Sequence, residues 1–228
     1  MPLLIVGAVL AVLVYVPSFW VRHVMTKYSA ERDSLPGTGG ELAQHLISRF
    51  QLDGILLEET DDFKDHFDPS AKTVRLGATN FHGKSLTAIA VAAHEVGHAI
   101  QFHRQEKIFE LRKQYLPRAQ ALNKIGIAIM FSIPIIGIFL RAPFAIGIVI
   151  ALSLLLQLGG ALAYLIILPE EWDASFNKAL PILIEGEYVE ENDIGKVRII
   201  LKAAALTYFA AAMANVLNVG RWFMLLRR

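Results

Sequence analysis

The sequence predicts a mainly α-helical membrane protein with about four transmembrane helices and a polar α+β region that carries a small sheet. Of its 228 residues 54% are hydrophobic, and its mean hydropathy is +0.45, which is high for a soluble domain. The net charge of +1 gives no indication of a nucleic-acid surface. Because the sequence has no cysteine, disulfides, thiolate metal sites and a cysteine nucleophile are excluded. Histidines and carboxylates remain as the available metal ligands.

Residues 1–21 are predicted to form an N-terminal transmembrane anchor. The apolar run that begins at Leu3 approaches the roughly 20 residues needed to cross a bilayer. It ends in an aromatic pair followed by Arg22, which is typical of a membrane interface rather than of a signal-peptide cleavage site. We therefore expect this segment to remain in the mature protein.

Residues 22–123 form a polar region with mixed α and β patterns. The spacing of residues 41–50 predicts a helix, and residues 55–60 read as a strand. The sequence DHFDPSAKTVRLG, residues 65–77, predicts a hairpin that turns at its Asp-Pro-Ser sequence. Its second strand is expected at residues 73–77.

The apolar remainder of the chain predicts further membrane helices. Residues 124–168 read as a transmembrane hairpin, and the uncharged run 142–168 is its strongest span. A polar helical segment is expected at 169–198. The C-terminal segment 199–228 contains an alanine-rich apolar run at 203–219, whose small residues suit close helix packing. This last run either crosses the membrane or lies on its surface.

A helix predicted at residues 85–104, with Ser85 as its cap, carries the sequence HEVGH. His94 and His98 are four residues apart and share one helix face, so both imidazoles can reach a single Zn²⁺ ion. Glu95 lies one step round the helix and can act as general base for a metal-activated water. A five-residue match can arise by chance, but two histidines and a glutamate are costly to bury in an apolar stretch without a role.

A zinc hydrolase usually has three protein ligands and one open position. Glu171, in the sequence EEWDAS after the longest span, is the expected third ligand, and the adjacent Glu170 remains an alternative. Two predicted spans separate His94 from Glu171, so both lie on the same side of the membrane. The other interpretation of these acids is a favourable interaction with a helix dipole.

Several motifs in the same order resemble the bacterial neutral zinc metallopeptidase family of membrane proteins (YugP-like). The segments that carry this resemblance are DHFDPSAKTVRLG, AIAVAAHEVGHAIQ, LPEEWDAS and AAALTYFAAAMANVL. The resemblance covers nearly the whole chain and implies a membrane-bound zinc peptidase of the gluzincin type, distantly similar to integral-membrane proteases. It implies a zincin-like catalytic region at 22–123 and a third-ligand segment at 169–198.

The resemblance also implies a role for residues near the third ligand. In the distant relatives an aspartate four residues after the ligating glutamate orients a zinc-bound histidine. Ser175 stands at that position in this chain, and Asp173 is a candidate substitute.

Two further predictions concern the β-hairpin at residues 65–77. His66 is a candidate transition-state donor. Zincins hold an extended substrate along a sheet edge, and the hairpin's second strand is the candidate edge. Its residues are Thr73, Val74, Arg75, Leu76 and Gly77.

We therefore expect an endopeptidase that cleaves membrane or membrane-adjacent proteins, with a protein or peptide substrate and the lipid bilayer as its partners and no nucleic acid. The alternative is a zinc-binding scaffolding or regulatory subunit without proteolytic activity, although retention of Glu95 favours chemistry. The basic residues that flank the spans are more numerous on the side of the site. This bias predicts a multi-pass protein of the bacterial inner membrane with its active site in the cytoplasm.

Overall fold

The computed structural model describes residues 2–140 and 143–216. These residues are mostly helical and include one three-stranded sheet, which confirms the predicted mixture of helices and a small sheet. The helices are α1 (Pro2–Lys27), α2 (Gly39–Arg49), α3 (Ala78–His82), α4 (Leu86–His103), α5 (Phe109–Leu140), α6 (Pro143–Trp172), α7 (Leu180–Glu185), α8 (Ile194–Ala205) and α9 (Thr207–Val216). The strands are β1 (Leu56–Thr60), β2 (His66–Asp68) and β3 (Thr73–Gly77). A π-helical turn follows α6 at Asp173–Ala179, and a 3₁₀ turn precedes α8 at Glu191–Asp193.

The described residues group into two compact units. The hairpin unit comprises the described parts of Met1–Phe19, Leu111–Ile167 and Thr207–Arg228. The motif unit comprises Trp20–Glu110 and Leu168–Leu206 and contains the HEVGH sequence. The domain boundaries drawn from the sequence stay predictions.

Two helical stretches of the described chain are long and apolar enough to cross a membrane. They are Phe109–Ile136 and Phe144–Glu185, with mean hydropathies of 1.5 and 2.2. The first lies in α5, which continues without a break through Pro117 and Pro134. The connection expected at Arg141 lies outside the described residues.

The expected total of about four spans is not reached in the described residues. The N-terminal anchor forms α1, a helix of 26 residues, and its role as a span stays a prediction. The run expected at 203–219 is not one continuous helix, because α8 ends at Ala205 and α9 begins at Thr207. The part of this run beyond residue 216 lies outside the described residues.

Within the hairpin unit, α5 and α6 pack closely through small residues. A Cβ atom on Gly160 would lie 2.8 Å from the carbonyl oxygen of Ala119, and one on Gly126 would lie 2.9 Å from that of Ser153. The Ser153 hydroxyl donates a hydrogen bond of 2.8 Å to the Gly126 carbonyl. Glycine therefore allows the two backbones to approach, as is common between membrane helices.

Helix α4 forms the centre of the motif unit. Every residue from Leu86 to Gln101 is buried, because α2, α3, α8, β2, β3 and the π-helical turn all pack against this helix. The Ser85 hydroxyl accepts a hydrogen bond from the backbone amide of Ala88, which confirms the expected cap. An α-helix buried on all sides holds its side chains in fixed positions, so it is a suitable base for a site.

The sheet has the order β1-β3-β2. Strand β2 pairs antiparallel with β3, which confirms the predicted hairpin, and β1 pairs parallel with β3 on its other side. The prediction that Thr73–Gly77 is an edge strand is therefore wrong, because β3 is the central strand. Four of its five residues are buried, as expected of a strand with neighbours on both sides.

Candidate metal centre

Helix α4 and the end of α6 bring three electron-pair donors to one point. The Nε2 atoms of His94 and His98 lie 3.2 Å apart. The Oε2 atom of Glu171 lies 3.4 Å from the first of these nitrogens and 3.3 Å from the second. All three side chains are buried, and together they form the group in the described chain that is able to hold a metal ion.

These distances can be compared with the geometry that zinc requires. Bonds of about 2.0–2.1 Å in a tetrahedral site place neighbouring ligand atoms about 3.3–3.4 Å apart. The three measured separations, 3.2, 3.3 and 3.4 Å, match the edges of such a tetrahedron. Two imidazoles and a carboxylate are also a ligand set of catalytic zinc sites, in which a fourth position stays open. The residues present therefore fit a zinc ion.

The hydrogen bonds of Ser175 determine which ring nitrogen of His94 carries the proton. The Ser175 hydroxyl donates to the carbonyl of Leu201 at 3.0 Å, so its oxygen is left to accept from His94 Nδ1, which lies 2.9 Å away. With the proton on Nδ1, the lone pair of Nε2 faces the donor cluster. The structure therefore places Ser175 where the resemblance implied an orienting residue.

Glu170 lies on the other side of the second histidine. Its Oε1 atom is 2.7 Å from His98 Nδ1, the ring nitrogen that does not face the donor cluster. The group able to hold a metal contains Glu171 and not Glu170. The geometry thus favours Glu171 as the third ligand.

Glu95 is buried beside the two histidines on α4. Burial raises the pKa of the Glu95 carboxyl above its ordinary value, and the electrostatic interaction with His94 and His98 opposes the shift. The negative charges of Asp65 and Glu171 raise this pKa further. A carboxylate with a raised pKa is a better acceptor for a proton from water, which suits a general base.

Gly97 and the π-helical turn position the third ligand against α4. A Cβ atom on Gly97 would lie 2.8 Å from the carbonyl oxygen of Ala174, so only glycine allows this approach. Ala174 follows Glu171 by three residues, at the start of the wide turn. π-Helical turns are rare and occur often at functional sites. The backbone of Ala174 fills the space beside Gly97.

The remaining predicted residues lie outside the donor cluster. Asp173 accepts hydrogen bonds from Gln101, Asn177 and Lys178. His66 Nδ1 lies 2.6 Å from the carbonyl oxygen of Lys64, and its Nε2 atom is 3.4 Å from the guanidinium of Arg75. These contacts give no support to a role for His66 as a transition-state donor.

Gln101 is a site residue that the sequence reasoning missed. Its Oε1 atom lies 3.0 Å from His98 Nδ1. The signal was present, since Gln101 follows His98 by three residues and so lies on the same face of α4.

Comparisons with known proteins agree with this geometry. The family model described as "Putative neutral zinc metallopeptidase" matches residues 3–227. A protein of Bacillus subtilis (strain 168), described as "Putative membrane protease YugP", is 31% identical and aligns over 91% of each chain. No solved structure matches the chain. Because the family model covers nearly the whole length, the chain belongs to the family described as "Putative neutral zinc metallopeptidase".

Proposed function

We propose that this protein is a membrane-embedded zinc endopeptidase that hydrolyses peptide bonds of membrane or membrane-adjacent proteins. The observation that carries the proposal is the spacing of three donor atoms, from His94, His98 and Glu171, at the edges of a zinc tetrahedron. Glu95, a buried carboxylate with a raised pKa, lies beside them. Family membership and two helices long enough to cross a membrane support the same conclusion.

The reaction assigns a separate task to each residue. When bound, one zinc ion would act as a Lewis acid that polarises the scissile carbonyl and lowers the pKa of the attacking water. Glu95 accepts the proton of that water and returns it to the leaving amine, so it serves as general base and then as general acid. Ser175 and the groups around His98 Nδ1 keep both imidazoles in the tautomer that leaves Nε2 available.

The central strand β3 is paired on both sides, so a substrate strand could add only to an outer strand of the sheet. Strand β2 has an outer edge and packs against α4, whereas β1 has an outer edge on the far side of β3. An extended peptide can add to such an edge through backbone hydrogen bonds. We therefore propose the outer edge of β2, at His66–Asp68, for the substrate strand.

The hydrolytic function is tested by proteolysis with the detergent-purified protein and a library of quenched-fluorescent peptides. Glu95→Gln is expected to lower cleavage about 10²–10⁴-fold, because general acid–base catalysis contributes that much, and to keep its zinc. Glu185→Gln, which changes an exposed glutamate of α7, is the matched control and is expected to cleave normally. Equal cleavage by wild type and Glu95→Gln would contradict the mechanism. A wild type that binds zinc but cleaves no peptide or membrane protein would favour the scaffolding alternative.

We also propose that the protein lies in the bacterial inner membrane with the motif unit in the cytoplasm, as the positive charge bias indicates. Because the chain has no cysteine, one introduced thiol reports its location without background. Asp53→Cys places that thiol at an exposed position between α2 and β1. In intact spheroplasts, a membrane-impermeant maleimide should leave it unlabelled. Labelling before lysis would contradict the cytoplasmic location.

A further inference from the structure

The two ring nitrogens of His98 face different sets of oxygen atoms. Its Nε2 atom faces the donor cluster, 3.3 Å from Glu171 Oε2. Its Nδ1 atom lies 2.7 Å from Glu170 Oε1 and 3.0 Å from Gln101 Oε1. Both neighbours of Nδ1 are oxygen acceptors at hydrogen-bond distance. A ring that binds a metal ion through Nε2 therefore carries its proton on Nδ1.

The orientation of the Gln101 amide follows from its other contacts. Its Nε2 group donates to the backbone carbonyl of Glu170 at 3.0 Å and to Asp173 Oδ2 at 2.9 Å. The amide oxygen is therefore the atom that faces His98. Gln101 consequently holds the Glu170 backbone to α4 while the Glu170 carboxylate reaches the imidazole.

The Gln101 amide is itself held by a charged pair. Asp173 accepts a hydrogen bond from Lys178, and Lys178 also lies 2.8 Å from Glu106 Oε2. These contacts fix Asp173, which fixes Gln101 in turn. The position of Glu170 against His98 is therefore built by a connected network and not by a single side chain.

The two histidines differ in the charge of their outer partner. His94 Nδ1 donates to the neutral hydroxyl of Ser175, whereas His98 Nδ1 donates to a buried carboxylate. A carboxylate strengthens the electron donation of a ligating imidazole more than a hydroxyl does, because the hydrogen bond is charge-assisted.

We propose that Glu170 is a positioning residue for His98, and that this chain orients its second metal-binding histidine through a buried carboxylate held by Gln101. The inference rests on the proposed zinc site. Glu170 acts on the opposite side of the imidazole from the metal and is not a ligand. Loss of such an outer partner typically lowers metal affinity about 10–100-fold.

Zinc affinity, measured by competition with a chromophoric chelator, tests this inference without any substrate. Glu170→Ala is expected to bind zinc about 10–100-fold more weakly than wild type. Glu170→Gln keeps the shape and an acceptor oxygen but loses the charge, so its affinity is expected between the two. Glu185→Ala is the matched control, because it removes an exposed glutamate from a helix of the same unit.

The visible spectrum of the Co²⁺-substituted protein provides a second readout, which a general loss of stability would not move. Glu170→Gln is expected to shift the ligand-field bands, while Glu185→Gln leaves them unchanged. Wild-type affinity and an unshifted spectrum in both Glu170 variants would overturn the inference and leave the zinc site intact. Loss of zinc from Glu170→Ala as complete as from Glu171→Ala would make Glu170 a ligand and also overturn it. A wild type that binds no zinc would remove the proposed function itself.

Discussion

Two helix contacts in this protein both place a glycine against a backbone carbonyl, but the polar groups around them differ. In the motif unit Gly97 of α4 lies against the carbonyl of Ala174, and in the hairpin unit Gly160 of α6 lies against the carbonyl of Ala119. At both places a Cβ atom would come within 2.8 Å of a backbone oxygen. Glycine thus allows two backbones to approach in each unit.

The polar groups at the two contacts are of different kinds. Around Gly97 they are imidazoles and carboxylates in a connected network. The polar groups between α5 and α6 include the uncharged Ser153 and Gln157, and Gln157 donates to the Ser153 hydroxyl at 3.1 Å. Close approach of two backbones is therefore not enough to identify a functional site. Buried ionisable groups that converge on one point are the better indication.

The largest effect is expected from Gly97→Ala. The added Cβ forces α4 and the π-helical turn apart, and Glu171, three residues before Ala174, moves with that turn. Overpacking of this kind costs about 1–3 kcal/mol, which corresponds to roughly 5–150-fold in zinc affinity if the strain falls on the metal-bound state. Chelator competition measures the affinity. Unchanged zinc binding would show that the contact does not position the third ligand.

The matched change in the other unit is Gly160→Ala. The same clash with a backbone oxygen is expected to lower the free energy of unfolding by about 1–3 kcal/mol. Zinc affinity should stay at the wild-type value, because the donor atoms of His94, His98 and Glu171 belong to the motif unit. Thermal unfolding in detergent and chelator competition give the two numbers. A loss of zinc affinity equal to that of Gly97→Ala would show that the two contacts do not differ in their effect on the metal centre.

The free energy of unfolding is expected to depend on pH through Asp193, whose contacts are charged. Asp193, in the motif unit, is buried, which opposes its ionisation, but hydrogen bonds from Lys196 and the charge of Arg32 outweigh this effect and lower its pKa. A lowered pKa contributes stability that is present above the unfolded value of about 3.9 and is lost as the pH falls below it.

Asp193→Asn is therefore expected to lower the free energy of unfolding by about 1 kcal/mol at neutral pH. The difference from wild type should shrink as the pH falls through 4 and below, which thermal unfolding at a series of pH values would measure. A difference that stays constant to pH 3 would show that the Asp193 contacts contribute nothing through ionisation.

The smallest effect is expected from Ser153→Ala. Hydrogen bonds between membrane helices contribute about 0.6 kcal/mol on average, so the loss of the bond to the Gly126 carbonyl should barely lower the unfolding temperature. Zinc affinity should not change. A destabilisation larger than that of Gly160→Ala would show that the hydroxyl, and not the glycine contact, holds α5 to α6.

Much of the motif unit could be predicted because its signals are local. The periodicity of α4, its serine cap and the HEVGH spacing all lie within one helix, and the hairpin of β2 and β3 is marked by its turn. The sheet order could not be predicted, because β1 pairs with β3 across a long separation in sequence. For the same reason the sequence does not show which carboxylate, Glu170 or Glu171, faces which nitrogen of His98.

The apolar segments were predicted less well. Composition identifies apolar runs, and the two runs of the predicted transmembrane hairpin lie in helices that are long and apolar enough to cross a membrane. It does not show where a run is interrupted, as at Leu206 between α8 and α9, because alanine-rich sequence suits a buried helix of the motif unit as well as a membrane span.

The assignment of the metal centre can be tested by the zinc content of the purified protein. Wild type and Glu171→Ala are dialysed against the same buffered low concentration of free zinc, and bound metal is counted by mass spectrometry. We expect about one zinc per chain in wild type and little in Glu171→Ala, because a catalytic zinc site needs its third protein ligand. Full zinc occupancy in Glu171→Ala would contradict the assignment of His94, His98 and Glu171 as the metal centre.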